Sequence, residues 1–137
     1  FMGYVSNEND VDFEKDEWLN TGDYGYITEN HELFIIGRND NCVIYQSHKV
    51  YPEEVERVII NTGFFAECFV VLHKTDLVCF YSTEDQKCLT EIEIQRTMQC
   101  CKKVLPAYEI PRKFVFVNHL KRNSNGKIIR RSECYEL

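Results

Sequence analysis

Two apolar runs of strand length limit the folds open to this chain more than any other feature. They occupy residues 68–72 and 77–81, and the connection between them, residues 73–76, is mostly polar. Runs of this length joined by a short polar connection predict an antiparallel hairpin. Because neither run alternates apolar with polar residues, we expect other elements to cover both faces of the hairpin.

Two further segments carry the signals of amphipathic helices. Residues 52–61 begin with Pro52, which suits the first helical position, and acidic residues follow it where the helix amides point outward. In residues 90–105 the pair Thr90 and Glu93 has the spacing of a capping box. Apolar residues recur at helical spacing in both segments, so each helix is expected to bury one face.

The remaining patterns predict short strands and one more helix. Apolar runs indicate strands at 32–36, 42–46, 49–51 and 114–117, and residues 128–136 are expected to form a short terminal helix. Hairpins and helices therefore mix along the chain. The predicted fold class is α+β, a small sheet of antiparallel and mixed strands flanked by about three helices, preceded by a short β-rich remnant of another domain.

Composition excludes several classes of protein. Sixteen Lys and Arg against twenty-two Asp and Glu give a net charge of −6. A negative protein of this kind is not attracted to nucleic acid by its overall charge, which argues against nucleic acid as a partner. No apolar run is long enough to span a membrane. The seven cysteines lack CxxC spacing and the four histidines lack ligand spacing, so we predict no metal site. We expect a cytoplasmic protein whose cysteines are reduced and mostly fill the core.

Asp23 and Arg38 are the first candidates for a binding site. Asp23 ends the cluster Thr21-Gly22-Asp23, which is also the composition of an ordinary turn, and Arg38 is equally compatible with an exposed ion pair. In the functional interpretation both side chains contact one ligand, because a carboxylate accepts two hydroxyl hydrogen bonds and a guanidinium donates a planar fork.

Lys127 is the candidate for charge stabilisation. It follows the flexible pair Asn125-Gly126 in a stretch rich in cations, which could equally form a solvated basic face. An extended ammonium at this position could stabilise negative charge that develops during a reaction. The stretch contains Lys121, Arg122, Lys127, Arg130 and Arg131.

Taken in order, these clusters resemble the C-terminal part of the adenylate-forming enzymes. That superfamily includes acyl-CoA synthetases, amino-acid adenylation domains with the D-alanine–carrier protein ligases, and luciferases. The resemblance covers nearly the whole chain, and six motifs in the right order make it specific. The motifs are Gly3-Tyr4 with Phe13, Trp18 to Asp23, Gly37 to Asp40, Pro52 to Glu56, Leu105 to Pro111, and Asn125-Gly126-Lys127.

The resemblance implies a two-step ligase that uses ATP with Mg²⁺. A small carboxylic or amino acid attacks the α-phosphate to give an acyl-adenylate, and a thiol of CoA or of phosphopantetheine on a carrier protein then displaces AMP. By motif, Asp23 would bind the ribose hydroxyls and Arg38 would lie near the nucleotide. Asp40 would be the hinge residue, and Lys127 the catalytic lysine that enters the site for adenylation and leaves it afterwards.

The same resemblance implies two domains. Residues 1–38 are expected to be the end of a large N-terminal adenylation domain, and residues 39–137 a small mobile lid. In this family the phosphate-binding loop, the acid pocket and most contacts to ATP belong to the large domain. The chain alone is therefore expected not to catalyse adenylation.

The chain departs from the family pattern just after the hinge. Relatives have a lysine, a basic residue and a glycine where this chain has Ile44, Gln46 and Ser47, and the family glycine lines the tunnel for the thiol arm. Gln46, Ser47 and His48 are thus the tunnel candidates. These departures favour an alternative from another class, a non-catalytic, lid-like module that docks a carrier protein or a partner subunit, whereas the intact motif residues favour the enzyme. The intact residues are Asp23, Arg38, Asp40 and Lys127.

Overall fold

The computed structural model describes residues 3–5 and 21–135 of the chain. It divides the chain into two compact units, the first of which ends at Cys42 while the second begins at Val43. The boundary predicted from the family resemblance, between residues 38 and 39, lies slightly earlier and stays a prediction.

The first unit contains an antiparallel sheet with the strand order β1-β2-β3, formed by β1 (Gly3–Val5), β2 (Asp23–Ile27) and β3 (Leu33–Arg38). The apolar run at 32–36 predicted β3, whereas β2 was not predicted because polar residues and Gly25 interrupt it. Gly25 lies at a break in the β2–β3 register, where a Cβ would approach the carbonyl oxygen of Phe34 to 2.3 Å. Glycine is therefore what allows the two backbones to approach. Most of the motif residues before Thr21 lie outside the described residues.

The second unit combines two sheets with two helices. A two-stranded hairpin, β4 (Val43–Tyr45) and β5 (His48–Val50), leads directly into α1 (Pro52–Ile60). The three-stranded sheet has the order β6-β7-β8, in which β7 is antiparallel to β6 and parallel to β8. Its strands are β6 (Glu67–His73), β7 (Asp76–Ser82) and β8 (Lys113–Phe116), and α2 (Glu91–Val104) lies between β7 and β8 in the chain. The predicted α+β class and the predicted hairpin are confirmed.

Apolar clusters cover both faces of β7, as its unbroken apolar sequence predicted. Cys79 and Tyr81 belong to the main cluster, together with buried residues of α1 and α2. Phe80 belongs to a second cluster, with Phe69 and Leu120, onto which Tyr135 packs. Because successive side chains of a strand point to opposite faces, a strand between two clusters must be apolar at every position.

The predicted terminal helix at 128–136 is wrong. Up to Tyr135, this part of the chain contains only a 3-10 turn, Ser132–Cys134, so two α-helices are described rather than about three. Ile129 donates its backbone N–H to Lys121, and Tyr135 packs on Phe69 at 5.4 Å between ring centroids. These contacts with distant parts of the chain override a local helical preference.

The expectation that the cysteines mostly fill the core is also wrong. Only Cys68, Cys79 and Cys101 are buried, and the other four are partly or fully exposed. All seven are free thiols, as expected. The exposed ones lie on loops and on the outer face of α2, where burial does not select for small apolar side chains.

Candidate functional site

Asp23, Arg38 and Asp40 form one cluster in the first unit. Asp23 and Arg38 are register partners on β2 and β3. Nη1 of Arg38 lies 3.2 Å from Oδ1 of Asp23, and its Nη2 lies 3.3 Å from Oδ2 of Asp40. Nη1 also donates to the carbonyl oxygen of Thr21 at 3.0 Å. Antiparallel pairing thus brings together two motifs that are fifteen residues apart in sequence.

Gly22 allows this arrangement. Its φ of +81° lies in the left-handed region, which glycine adopts without steric cost, and a Cβ there would meet Nη2 of Arg38 at 2.8 Å. The carbonyl oxygen of Gly22 accepts a hydrogen bond from the backbone N–H of Asn39 at 2.9 Å. The glycine of the Thr-Gly-Asp cluster is therefore needed for both its backbone conformation and its contact with Arg38.

The cluster is open enough to receive a ligand. The side chains of Asp23 and Arg38 are 34 % and 43 % exposed, and that of Asp40 is 67 % exposed. The hydrogen bond and the charge of Asp40, with a smaller contribution from Asp23, raise the pKa of Arg38, so this side chain stays a cation. An exposed ion pair alone would stabilise the fold little. A ligand could exchange these contacts at low cost.

Gln46, Ser47 and His48 lie together on the exposed turn between β4 and β5. Tyr45 and His48 are register partners, so the loop between the strands consists of Gln46 and Ser47. Both have positive φ, +51° and +66°, as the central residues of a type I′ turn must. The ring of His48 stacks on that of Tyr108 at 3.8 Å between centroids, which attaches the turn to the Leu105 to Pro111 motif.

The left-handed conformation of Ser47 gives a physical reason for the glycine that the family resemblance predicts at this position. Glycine adopts a positive φ at no steric cost, whereas the Cβ of serine makes this conformation less favourable. The departure from the family pattern that the sequence shows at Ser47 is therefore a local strain, and it leaves the path of the backbone as a type I′ turn.

Lys127 follows the tip of a second, well-ordered loop. The side-chain oxygen of Asn123 accepts the backbone N–H groups of Asn125 at 2.9 Å and of Lys127 at 3.0 Å. Gly126 adopts φ +84°, and its carbonyl oxygen accepts a hydrogen bond from Nη1 of Arg122 at 2.9 Å. The side chain of Lys127 is exposed, and no hydrogen bond or ion pair joins its ammonium to the described residues. The loop thus presents an unneutralised cation on a fixed backbone.

An ion pair that the sequence did not predict lies next to this loop. Glu56 of α1 accepts Nη1 and Nη2 of Arg130 at 2.6 Å each, one on each carboxylate oxygen. The backbone N–H of Val70 on β6 donates to the same carboxylate at 2.8 Å. The sequence had grouped Arg130 with exposed cations. The sequence signal nearest to this ion pair is the acidic run at the start of α1. Acidic residues there are also explained by their favourable interaction with the helix dipole, so the run does not predict the pair.

A pair of neighbouring carboxylates is the second feature that sequence reasoning missed. Glu109, in the 3-10 turn Ala107–Glu109, is buried, and Glu54 of α1 lies beside it. Burial, and then the charge and hydrogen bond of Glu54, raise the pKa of Glu109 to about 7. Its Oε1 is buried without a hydrogen-bond partner within the described residues.

The part of the chain that the structure describes holds neither a cluster of metal ligands nor a membrane-spanning helix. No group of three or more His, Cys, Asp or Glu is placed to hold a metal there, and no helix there has the length and apolarity to cross a membrane.

Comparison with protein families decides where the chain belongs. Residues 54–127 match the family described as the AMP-binding enzyme C-terminal domain. The chain belongs to this family. The matched segment begins in α1 and ends at Lys127, so it contains the Leu105 to Pro111 motif and the loop that presents the lysine. The predicted resemblance is confirmed.

Individual relatives agree with this assignment. The 2-succinylbenzoate–CoA ligase of Bacillus licheniformis is 32 % identical over 133 residues, which are 93 % of this chain and 27 % of that protein. The crystal structure of the anthranilate CoA ligase AuaEII in complex with anthranoyl-AMP superposes with a TM-score of 0.72 at 27 % identity, covering 83 % of this chain and 23 % of that one. O-succinylbenzoate CoA synthetase from Bacillus subtilis, in complex with ATP and magnesium, gives 0.69 at 29 % identity, covering 85 % and 24 %. The chain spans about a quarter of the length of the curated relatives it matches.

The predicted site residues thus occupy three loci. Arg38 contacts both Asp23 and Asp40 in the first unit. The three tunnel candidates share the β4–β5 turn, and Lys127 is on a separate loop of the second unit.

Proposed function

We propose that this chain supplies the hinge, a nucleotide-binding cluster and the catalytic lysine of an ATP-dependent acid–thiol ligase. The ligase forms an acyl-adenylate from a small carboxylic acid and then a thioester, with AMP as the leaving group. CoA is the preferred acceptor because the relatives reported above are CoA ligases. Adenylation by the chain alone is not expected, since it contains no glycine-rich phosphate loop.

The observation that carries the proposal is the exposed, unneutralised ammonium of Lys127 on an ordered loop. In the first half-reaction two anions, a carboxylate and a triphosphate, must approach each other. A cation that contacts both the attacking oxygen and the α-phosphate relieves their repulsion and aligns the attack. Preorganised charge of this kind contributes about 3 to 4 kcal/mol to a transition state. The backbone N–H of Lys127 donates to the side-chain oxygen of Asn123, and its carbonyl oxygen accepts the backbone N–H of Asn123, so the backbone of Lys127 is held in place for this role.

Asp23 and Arg38 are suited to bind the sugar and phosphate of the nucleotide. Oδ1 of Asp23 accepts a hydrogen bond from Arg38, and a carboxylate has further acceptor positions that suit ribose hydroxyls. Arg38 carries donors in a planar fork that matches phosphate or ribose oxygens. The exposed ion pairs of the cluster can rearrange when the nucleotide binds.

Asp40 and the β4–β5 turn account for the second half-reaction in this proposal. Asp40 lies in a single 3-10 turn, Asn39–Asn41, between β3 and β4, a short segment in which a few backbone rotations can reorient the rest of the chain. Rotation there would withdraw Lys127 and bring the turn with Gln46, Ser47 and His48 to the path of the thiol. Such gating by a hinge separates two reactions that need different groups at one site.

The decisive experiment measures the two half-reactions separately in the complete ligase that contains this chain. Lys127→Ala should reduce ATP–pyrophosphate exchange about 100- to 1000-fold, the equivalent of 3 to 4 kcal/mol. Thioester formation from supplied acyl-adenylate should change less than about twofold, because the lysine has left the site at that stage. Lys103→Ala, which removes an exposed lysine of α2, is the matched control and should affect neither step. Equal loss of both half-reactions would contradict the proposal.

A non-catalytic docking module is the second candidate function. It is supported by Ile44, an apolar side chain that is 61 % exposed next to the β4–β5 turn. The same experiment separates the two functions. A docking module would show no loss of exchange in Lys127→Ala, whereas Ile44→Lys would weaken capture of its carrier protein.

A further inference from the structure

The carboxylate of Glu56 connects three parts of the second unit. It belongs to α1, it accepts the backbone N–H of Val70 on β6, and it binds both terminal nitrogens of Arg130. Glu56 is only 8 % exposed, whereas the side chain of Arg130 is 24 % exposed, so the carboxylate is buried and the guanidinium is partly buried. Arg130 follows Lys127 by three residues.

The short segment from Lys127 to Arg130 has no freedom to move alone. Ile128 pairs with Arg122 across the loop, and the backbone N–H of Ile129 donates to the carbonyl oxygen of Lys121 at 2.8 Å. On the other side of the loop, Arg122 forms an ion pair with Glu67 at the start of β6. The base of the Lys127 loop is therefore held to the rest of the unit by an arginine on each side.

These two arginines fix the orientation of the Lys127 loop, which apolar packing alone does not fix. Contacts of Ile128 with the second apolar cluster hold the segment to the sheet, but dispersion and hydrophobic burial are not directional. A two-point contact between a planar guanidinium and a carboxylate fixes both distance and angle. The other hydrogen bond to Glu56, from Val70, fixes the carboxylate itself.

Stability alone does not explain a buried pair of this kind. Burial raises the pKa of Glu56, and Arg130 opposes this shift through its hydrogen bonds and its charge. Buried ion pairs often contribute little to folding compared with apolar residues of similar volume. The two short hydrogen bonds between Arg130 and Glu56 are explained if the pair positions the loop of Lys127. Misplacement of a catalytic group by about 1 Å can lower the rate about 100-fold.

We propose that Arg130, acting through Glu56, is a positioning residue that aims Lys127 during adenylation. The inference rests on the proposed function of Lys127. It assigns a role to two residues that contact neither the nucleotide nor the acid: they hold the base of the loop at a fixed distance and angle from α1.

The test compares Arg130→Met, Arg130→Lys and Glu56→Gln with the matched control Arg131→Met in the complete ligase. Arg131 is the exposed neighbour in the chain, so its loss removes a cation without touching Glu56. We expect kcat of ATP–pyrophosphate exchange to fall about 10- to 100-fold in Arg130→Met, with KM for ATP changed less than about threefold. In Arg130→Lys, kcat of exchange should lie between those of the native enzyme and Arg130→Met, because lysine keeps the positive charge and loses the planar, two-point contact of the guanidinium. Thioester formation from supplied acyl-adenylate should stay within about twofold in all variants.

Folding and function are separated by two further measurements. Circular dichroism and thermal unfolding establish which variants are folded, and where Arg130→Met is not, Arg130→Lys and Glu56→Gln decide the question. Exchange within twofold of the native enzyme in folded Arg130→Met, or in folded Glu56→Gln, overturns the inference, as does equal loss of both half-reactions; Arg131→Met should leave exchange unchanged. If Lys127→Ala also leaves exchange intact, the proposed function itself fails. If Lys127→Ala abolishes exchange and Arg130→Met does not, only the positioning role fails.

Discussion

Glu109→Gln should make the chain more stable, and more so at alkaline than at acidic pH. Glu109 is 7 % exposed, lies beside Glu54, and has one oxygen without a hydrogen-bond partner within the described residues. Burial and the neighbouring carboxylate both disfavour its ionised form. Glutamine has the same shape and carries no charge, so the substitution removes the cost of ionisation while keeping the packing.

The pKa values give the sign and size of the effect. The pKa of Glu109 is raised to about 7 in the folded chain from an ordinary value of 4.5. Between these values the folded state binds more protons than the unfolded state, so its stability falls as pH rises from 4.5 through 7. The cost is small at pH 5 and approaches about 3 kcal/mol at pH 8, at 1.36 kcal/mol for each pKa unit.

Urea unfolding of the chain at pH 5 and pH 8 measures this difference. Glu109→Gln should gain about 2 kcal/mol more, relative to the native chain, at pH 8 than at pH 5, seen as a higher urea midpoint. Glu84→Gln, at an exposed loop position, is the control and should show no such dependence. Glu54→Gln should weaken the dependence by removing the like charge. A gain in Glu109→Gln that is equal at both pH values would refute the reasoning.

Two further predictions concern the backbone of the turns. Ser47→Gly should raise the free energy of unfolding by about 1 kcal/mol, because it relieves a positive φ of +66°, whereas Ser124→Gly, in a turn whose serine does not have a positive φ, should not stabilise. Urea midpoints of the two variants test this, and equal midpoints would contradict it. Asp40→Pro should slow one half-reaction selectively, because proline restricts both its own φ and the conformation of Asn39. Asp40→Ala removes the contact with Arg38 without restricting the backbone, and identical kinetics in the two variants would argue against a hinge.

Patterns confined to a few neighbouring residues were predictable from the sequence. The capping box formed as expected, with the backbone N–H of Thr90 donating to Glu93 at 2.8 Å and that of Glu93 donating to Thr90 at 3.2 Å. Pro52 begins α1, and the hairpin connection lies between His73 and Asp76. These features depend on local hydrogen bonds and local backbone preferences, which the residues themselves specify.

The candidate site was predictable only in part. The motif order led to Asp23, Arg38, Asp40 and Lys127, but it did not show that Arg38 contacts both aspartates or that Asn123 holds the backbone of Lys127. The contact of Arg38 with Asp23 follows from strand pairing across fifteen residues, and β2 carries too weak a strand pattern to predict that pairing.

The amino-acid sequence by itself determined the helices, the central hairpin and the family of this chain, because each of these depends on residues that are close in sequence or on motifs in a fixed order. The tertiary structure decided the rest. In place of the expected terminal helix the chain has only the 3-10 turn Ser132–Cys134, because Arg130 reaches Glu56 across 74 residues and Tyr135 packs on Phe69. It also placed Glu109 beside Glu54, two acids that local patterns would leave in water. Such contacts depend on where the folded backbone brings distant residues, and no local preference encodes that position.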